Sequence, residues 1–334
     1  MGVYHALSSY TYSSRSDEVS REVLLTMSNH QMKNNARINV VLNKSPEKRA
    51  STDWFVSVEE KEKHEVLVRF EHKLANYIGL KEIKALVKEL YAWIYISERR
   101  KEVGLKSPKQ VLHMIFKGNP GTGKTTVARL IASFLHEMNV LSKGHFIEME
   151  RADLVGEYIG HTAQKTRDVL KQAQGGVLFI DEAYSLSRGG EKDFGKEAID
   201  TLVRGMENHA NEFVLILAGY SKEMDFFLSL NPGLPSRFPI SITFPNYSVE
   251  ELIEMLIGMA KDRDYMIEKD ALNRCREHLK HVLVEETYAF SNGRYIRNMV
   301  EEAIRLQAVR VLKEDKFTKS ELETLRKEDF TFKK

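Results

Sequence analysis

The chain has 334 residues, 42% of them hydrophobic, and its 50 Lys+Arg against 48 Asp+Glu leave a formal charge of only +2. That length suits about two domains at roughly 150 residues each, and the near-neutral balance argues against a protein that coats nucleic acid through a strongly basic domain, while leaving room for a local basic patch. One cysteine, Cys275, excludes an intrachain disulfide and a cysteine-built zinc cluster and suits a reducing compartment.

No uncharged apolar run approaches the roughly 18–20 residues that span a bilayer. The opening stretch, MGVYHALSSYTYSSRSDEV, lacks the basic and apolar regions of a secretory signal, and Ala6 stands where a myristoylation pattern wants Ser or Thr. The expectation is a soluble, cytoplasmic protein with no membrane insertion.

Residues 1–65 read as an N-terminal extension, packed on the main domain or serving as a docking arm. Ser8–Ser16 is polar and reads as disordered, Val19, Val23, Leu24 and Met27 fall at helical spacing, and Ile38–Leu42 reads as a strand before a turn-rich linker at Asn43–Ser51. From about Glu65 the rhythm changes. A helical stretch over Lys81–Glu102 precedes an apolar run, Val111–Phe116, and a glycine-rich turn leads into a helix over Thr125–His136. Further short apolar runs are Phe146–Met149, Val177–Ile180, Phe213–Ala218 and Ile240–Phe244, each separated from the next by a helical pattern. Such alternation predicts an α/β domain over residues 66–247, with a parallel sheet covered by helices. After Pro245 the strand signal fades. Val249–Met259, Lys269–Val284, Tyr295–Leu312 and Lys319–Asp329 all read as helices, giving an all-helical second domain over 248–334.

The segment Gly118-Asn119-Pro120-Gly121-Thr122-Gly123-Lys124-Thr125 fits G-x-x-x-x-G-K-[ST] between a strand and a helix, the context a phosphate loop requires. Glycines let backbone N–H groups converge on phosphate oxygens, and the helix N-terminus adds positive potential. Lys124 would reach the β- and γ-phosphates, and the Thr125 hydroxyl would hold Mg²⁺. Val177–Ile180 then leads into Asp181-Glu182, a carboxylate pair at the C-terminal end of a buried strand, where ligands bind in open α/β sheets. Asp181 suits the Mg²⁺ shell, and Glu182 suits activation of the attacking water. The pair alone is a weak signal, because acids at strand ends also cap helices. With the phosphate loop it becomes a strong one.

Together with Asn231-Pro-Gly-Leu-Pro-Ser-Arg237-Phe and Ser291-Asn-Gly-Arg294-Tyr-Ile-Arg297-Asn, these motifs resemble an AAA+ P-loop ATPase. The stretches GEYIGHTAQKT, LFIDEAYSL, GGEKDFGKEAIDTLV and ILAGYS narrow the resemblance to the branch that holds sporulation proteins and the red-type Rubisco activases. The resemblance covers roughly residues 76–311. It implies a large α/β domain, a helical lid, ATP and Mg²⁺ as ligands, and a homo-oligomeric ring, most simply a hexamer, with ATP between subunits. By the same resemblance, Tyr77-Ile78-Gly79-Leu80 packs on adenine, and Thr126 joins the phosphate loop in holding the nucleotide. Arg237 is the arginine finger, and Arg294 is the lid's sensor arginine with Arg297 as fallback. Tyr158-Ile159-Gly160 matches the pore loop that grips a protein client. The expected catalytic set is Lys124, Glu182 and Arg237. One departure stands out: Tyr220 follows the fourth strand where many relatives carry Asn, Ser or Thr.

The implied function is an ATP-driven motor that remodels a protein client through a central pore, in the setting of spore formation. The rivals are a nucleic-acid motor, for which no basic DNA-binding domain appears, a nucleotide-gated scaffold, disfavoured by Glu182, and a metabolite-responsive activase of a sugar-phosphate enzyme. His278-x-x-His281 has ligand spacing but nothing to complete a zinc site, so it reads as a solvated helix face. Cys275 reads as a buried small hydrophobe, and Glu59–Lys63 as an exposed charge run.

Overall fold

Five apolar segments form one parallel sheet: β1 (Met114–Gly118), β2 (Phe146–Met149), β3 (Val177–Ile180), β4 (Val214–Gly219) and β5 (Ile240–Phe244). Their spatial order is β2-β3-β4-β1-β5. The computed structural model describes residues 64–107, 111–158, 160–188, 194–209, 212–231, 233–285 and 290–332. The readings made for Val19–Met27, Ile38–Leu42 and Glu59–Lys63, almost all of the N-terminal extension, and Ile159 lie outside the described residues.

Alternate side chains of the central strands β1, β3 and β4 enter different cores, because successive Cβ atoms point to opposite faces. Met114, Phe116, Val177, Phe179 and Ile216 pack with α1 (Glu65–Ala75), α2 (Lys81–Glu102) and α3 (Lys124–Glu137). Ile115, Leu178, Ile180, Leu215 and Leu217 face the other way. They pack against α5 (His161–Ala173), α6 (Gly195–Asn208) and α7 (Ser221–Leu230); a short α4 (Arg151–Leu154) precedes α5. Strands buried on both faces need continuous apolar runs, which makes β3 and β4 legible in the sequence. Each fully buried Phe, Ile or Leu stabilises the fold by about 1.5–3 kcal/mol.

Strand bounds shift at β1, which begins three residues after Val111 and runs on to Gly118. His113 accounts for the late start. It is 1% exposed, and its Nδ1 accepts the Leu215 N–H at 3.0 Å, so the side chain takes a donor from the neighbouring strand. Its Nε2 is buried without a hydrogen-bond partner, between Phe213 and Phe238. Burial holds the imidazole pKa down at about 4. A base whose folded pKa is depressed loses stability as pH falls from its unfolded value near 6.5 toward the folded one, since the unfolded chain takes up the proton first. The full loss is roughly 3 kcal/mol. His113→Asn keeps an acceptor for Leu215 and should flatten the dependence of unfolding free energy on pH between 4 and 6.5. Equal pH slopes for parent and variant in denaturant titrations would remove this role for His113.

The lid follows β5. It comprises α8 (Val249–Lys261), α9 (Lys269–Glu285), α10 (Asn292–Glu314) and α11 (Lys319–Glu323) around a core that includes Leu252, Leu256, Leu279, Phe290, Ile296 and Val300. Ser248 starts α8 through a capping box with Glu251 (Ser248 N to Glu251 Oε2 2.8 Å, Glu251 N to Ser248 Oγ 3.2 Å). Cys275 is buried as expected, and burial raises its thiol pKa to about 12.

The all-helical expectation for the lid needs one correction. The helix predicted over Lys319–Asp329 ends at Glu323; β7 (Thr324–Leu325) then pairs in parallel with β6 (Met266–Ile267), and a 3₁₀ turn covers Lys327–Asp329. The cause is a buried ion pair. Arg310 on α10 donates Nε and Nη2 to the two carboxylate oxygens of Asp329, each at 3.0 Å, and Nη2 to the Thr324 carbonyl at 3.1 Å. That fork draws the chain back across α10 and buries Leu325 and Phe330. His278 is likewise not a solvated residue: it stacks on Phe332 and its Nε2 lies 2.5 Å from the Tyr295 hydroxyl.

Candidate active site

The C-terminal ends of β1, β3 and β4 open into a cleft of about 640 Å³ between the sheet and the lid. On the sheet side it is lined by Lys124, Thr125, Thr126, Asp181, Glu182 and Tyr220, and on the lid side by Arg294 and Arg297. Because β4 lies between β1 and β3, Tyr220 sits between the phosphate loop and the carboxylate pair.

Pro120, Gly121 and Gly123 of the loop also line the cleft. Gly118, Asn119 and Thr122 build it instead: Thr122, 1% exposed, donates its hydroxyl to the Asn119 carbonyl at 2.8 Å and braces the turn. Gly121 shows why glycine is needed. Its φ is +69°, and a Cβ there would lie 2.1 Å from the Ser291 carbonyl oxygen of the lid. Lys124 Nζ donates to the Gly118 and Asn119 carbonyls, each at 2.9 Å, which holds the ammonium inside the loop. Burial lowers its pKa, the Asp181 and Glu182 carboxylates oppose that shift, and the Arg294 guanidinium adds to it. Lys124, the two carboxylates and Arg294 therefore share one electrostatic site.

Asp181 Oδ1 accepts the Glu182 N–H at 2.9 Å, which fixes the first carboxylate at the strand end. Glu182 has φ +46° and its side chain is exposed. A left-handed conformation in a residue other than Gly or Asn is strained by about 1–2 kcal/mol, and such strain gathers at functional sites. Among the described residues no cluster of three or more His, Cys, Asp or Glu side chains is placed to hold a metal. A hydroxyl and a carboxylate in a phosphate-binding cleft, Thr125 and Asp181, are the hard oxygen set that suits Mg²⁺, which takes one or two protein oxygens and completes its shell with phosphates and water.

Tyr77, Ile78 and Leu80 also line the cleft, as do Met255 and Met259 of α8 and Asp262 at its end. Gly79 lines a smaller neighbouring cavity with Tyr247 and Glu251. Arg237 does not line the cleft. It is tied to Glu207 of α6, with Nε to Oε1 at 3.1 Å, and to the Gly233 carbonyl through Nη1 at 2.6 Å. Tyr158 is 67% exposed on the loop between α4 and α5, edge-on to His161. Gly160 follows with φ +82° at the start of α5. Sequence reasoning missed the lid residues Met255, Met259 and Asp262 and the buried Asn292; only the nearness of Asn292 to Arg294 marked it.

Residues 114–246 match the ATPase family associated with various cellular activities (AAA), and residues 248–334 match the AAA lid domain. The chain is 55% identical over 307 residues to stage V sporulation protein K of Bacillus subtilis (strain 168), covering 90% of this chain and 95% of that protein. The chain belongs to the AAA ATPase family. As an AAA ATPase it binds and hydrolyses ATP. It is also 43% identical over 255 residues to a chloroplastic ribulose bisphosphate carboxylase/oxygenase activase of Cyanidioschyzon merolae, covering 75% of this chain and 86% of that protein. Among solved structures, the AAA domain of FIGL-1 in complex with ADP matches with a TM-score of 0.53 at 20% identity, covering 77% of this chain and 81% of that one, a likeness of fold alone. No helix among the described residues is long and apolar enough to cross a membrane.

Proposed function

We propose that this AAA ATPase works as a cytoplasmic homo-oligomeric ring, most simply a hexamer, in which each ATP is cleaved at a seam between two subunits and the energy pulls a protein client into a central pore. Its setting is spore formation, on the strength of the 55% identical relative's name. The observation that carries the reading is a division of the machinery. Lys124, Thr125, Asp181, Glu182 and Arg294 line one cleft, while Arg237 lies outside it on the same chain.

In this reading Lys124 and the loop N–H groups bind the β- and γ-phosphates; Thr125 and Asp181 would hold Mg²⁺, which would supply positive charge to those oxygens. Glu182 orients a water for in-line attack on the γ-phosphorus and takes its proton as the bond to ADP breaks. Arg294 meets the phosphates from the lid. Arg237 of one subunit stabilises the transferring phosphoryl group of the next. Its present partner does not hold it back, since exposed ion pairs of the Arg237–Glu207 kind are worth about 0.2–1 kcal/mol. Tyr158, displayed on its loop, supplies apolar grip on an extended client.

Subunit mixing tests the seam. Arg237→Ala protein should bind ATP at parental affinity and hydrolyse it about 10³-fold more slowly. Adding Lys124→Ala protein, whose own cleft is dead but whose Arg237 is intact, should restore measurable phosphate release. Absence of any rescue over a range of mixing ratios counts against a finger acting in trans.

A further inference from the structure

We propose that Asn292 is a positioning residue of the ATPase: its side-chain amide fastens the start of α10 to the phosphate loop and so holds Arg294 over the bound phosphates. The inference rests on the reading of the cleft given above.

Asn292 is fully buried and is the first residue of α10, with φ +45°, a left-handed conformation that asparagine tolerates. Its Nδ2 lies within hydrogen-bond distance of three acceptors: the Pro120 carbonyl of the phosphate loop (3.3 Å), the Phe290 carbonyl (3.0 Å) and Asn246 Oδ1 (2.9 Å). Its Oδ1 accepts the Tyr247 N–H at 3.0 Å. The same Asn246 oxygen accepts from Asn119 Nδ2 at 2.9 Å, and the Tyr247 hydroxyl donates to the Thr122 carbonyl at 3.1 Å. One amide therefore joins three segments: the phosphate loop, the hinge residues 246–247 between β5 and α8, and the first turn of α10.

The backbones touch at the same place. Gly293 N–H donates to the Gly121 carbonyl at 3.1 Å, and Gly121 has no room for a Cβ beneath Ser291. Arg294 is the next residue after this contact. A shift of the phosphate loop on binding phosphates is thus passed to the helix that carries Arg294. A buried amide of this kind acts as a latch because each partner depends on the others for its hydrogen bonds.

A double-mutant cycle separates a latch from a mere structural brace. Asn292→Gly accepts the φ of +45° and deletes the amide, so the backbone turn is kept while the latch is lost. Since a misplacement of about 1 Å at a catalytic group lowers turnover by about 10²-fold, kcat for ATP should fall about 10- to 100-fold in Asn292→Gly and in Arg294→Ala. The double variant should fall no further than the larger single effect, because the amide acts through the arginine. Asn292→Asp, which keeps the acceptor for Tyr247 but replaces the donors with an acceptor, should behave as Asn292→Gly and serves as the second variant if the glycine protein melts below the assay temperature. An unchanged kcat in both Asn292 variants, or losses that multiply in the double variant, would overturn the proposal while leaving the cleft reading intact. An unchanged kcat and KM in Arg294→Ala alone would instead bring down that reading of the lid arginine, and the latch with it.

Discussion

Glu182→Gln protein should load ATP and then stall, with kcat lowered about 10²- to 10⁴-fold and ATP affinity within a few-fold of the parent. The amide has the shape of the carboxylate but cannot accept a proton from the attacking water. Glu182 makes none of the contacts that hold the loop: Lys124 is tied to the Gly118 and Asn119 carbonyls, and Thr122 braces the turn. The binding half of the site therefore survives the substitution, and only the chemical step is lost. Steady-state phosphate release, measured beside equilibrium binding of a fluorescent ATP analogue, separates the two. Turnover within tenfold of the parent would transfer the water-activating role to another group.

Lys124→Ala should fail at the earlier step. The ammonium is desolvated and its pKa is depressed by that burial, so a phosphate group arriving in the cleft stabilises the charge that lost hydration leaves exposed to the low dielectric. Removing one partner of a buried, hydrogen-bonded charge pair costs about 2–5 kcal/mol, which weakens nucleotide affinity roughly 30- to several-thousand-fold. The two loop carbonyls that now hold Lys124 lose a partner as well, so the loop is less well ordered to receive phosphates. Direct titration with ATP checks this. A dissociation constant within threefold of the parent would mean that the loop's N–H groups and helix N-terminus bind phosphates without the lysine.

Much of this site was legible before any coordinates, and particular residues show why. β3 occupies the span predicted for it, because a strand buried on both faces must be an unbroken apolar run; the edge strands β2 and β5 also keep their predicted spans, with Glu148, Ser241 and Thr243 exposed on them. Lys81–Glu102 was likewise readable as one helix, with its apolar residues recurring on one face. The lid's C-terminal segment was not. Lys319–Asp329 has helical spacing, yet Arg310 captures Asp329, 19 positions on, and turns the chain into β7, a contact outside the reach of helical periodicity. His278 was misread for the same reason: a polar residue on a helix looks solvated until the terminal segment brings Phe332 over it.

The phosphate loop and the carboxylate pair were determined by sequence alone, because their geometry is local: glycines permit the backbone turn, and the following helix begins where its first N–H groups must find an acceptor. What only the tertiary structure decided is their meeting. An apolar run announces that a strand is central, but its neighbours are chosen by crossovers that span the chain. The order β2-β3-β4-β1-β5 places Tyr220 between Lys124 and Glu182 and sets them facing one cleft. The lid's approach, Arg294 turned inward and Arg237 left outside on Glu207, follows from contacts such as Asn292 on Pro120, 172 positions apart along the chain. Those contacts are satisfied only when both domains have folded.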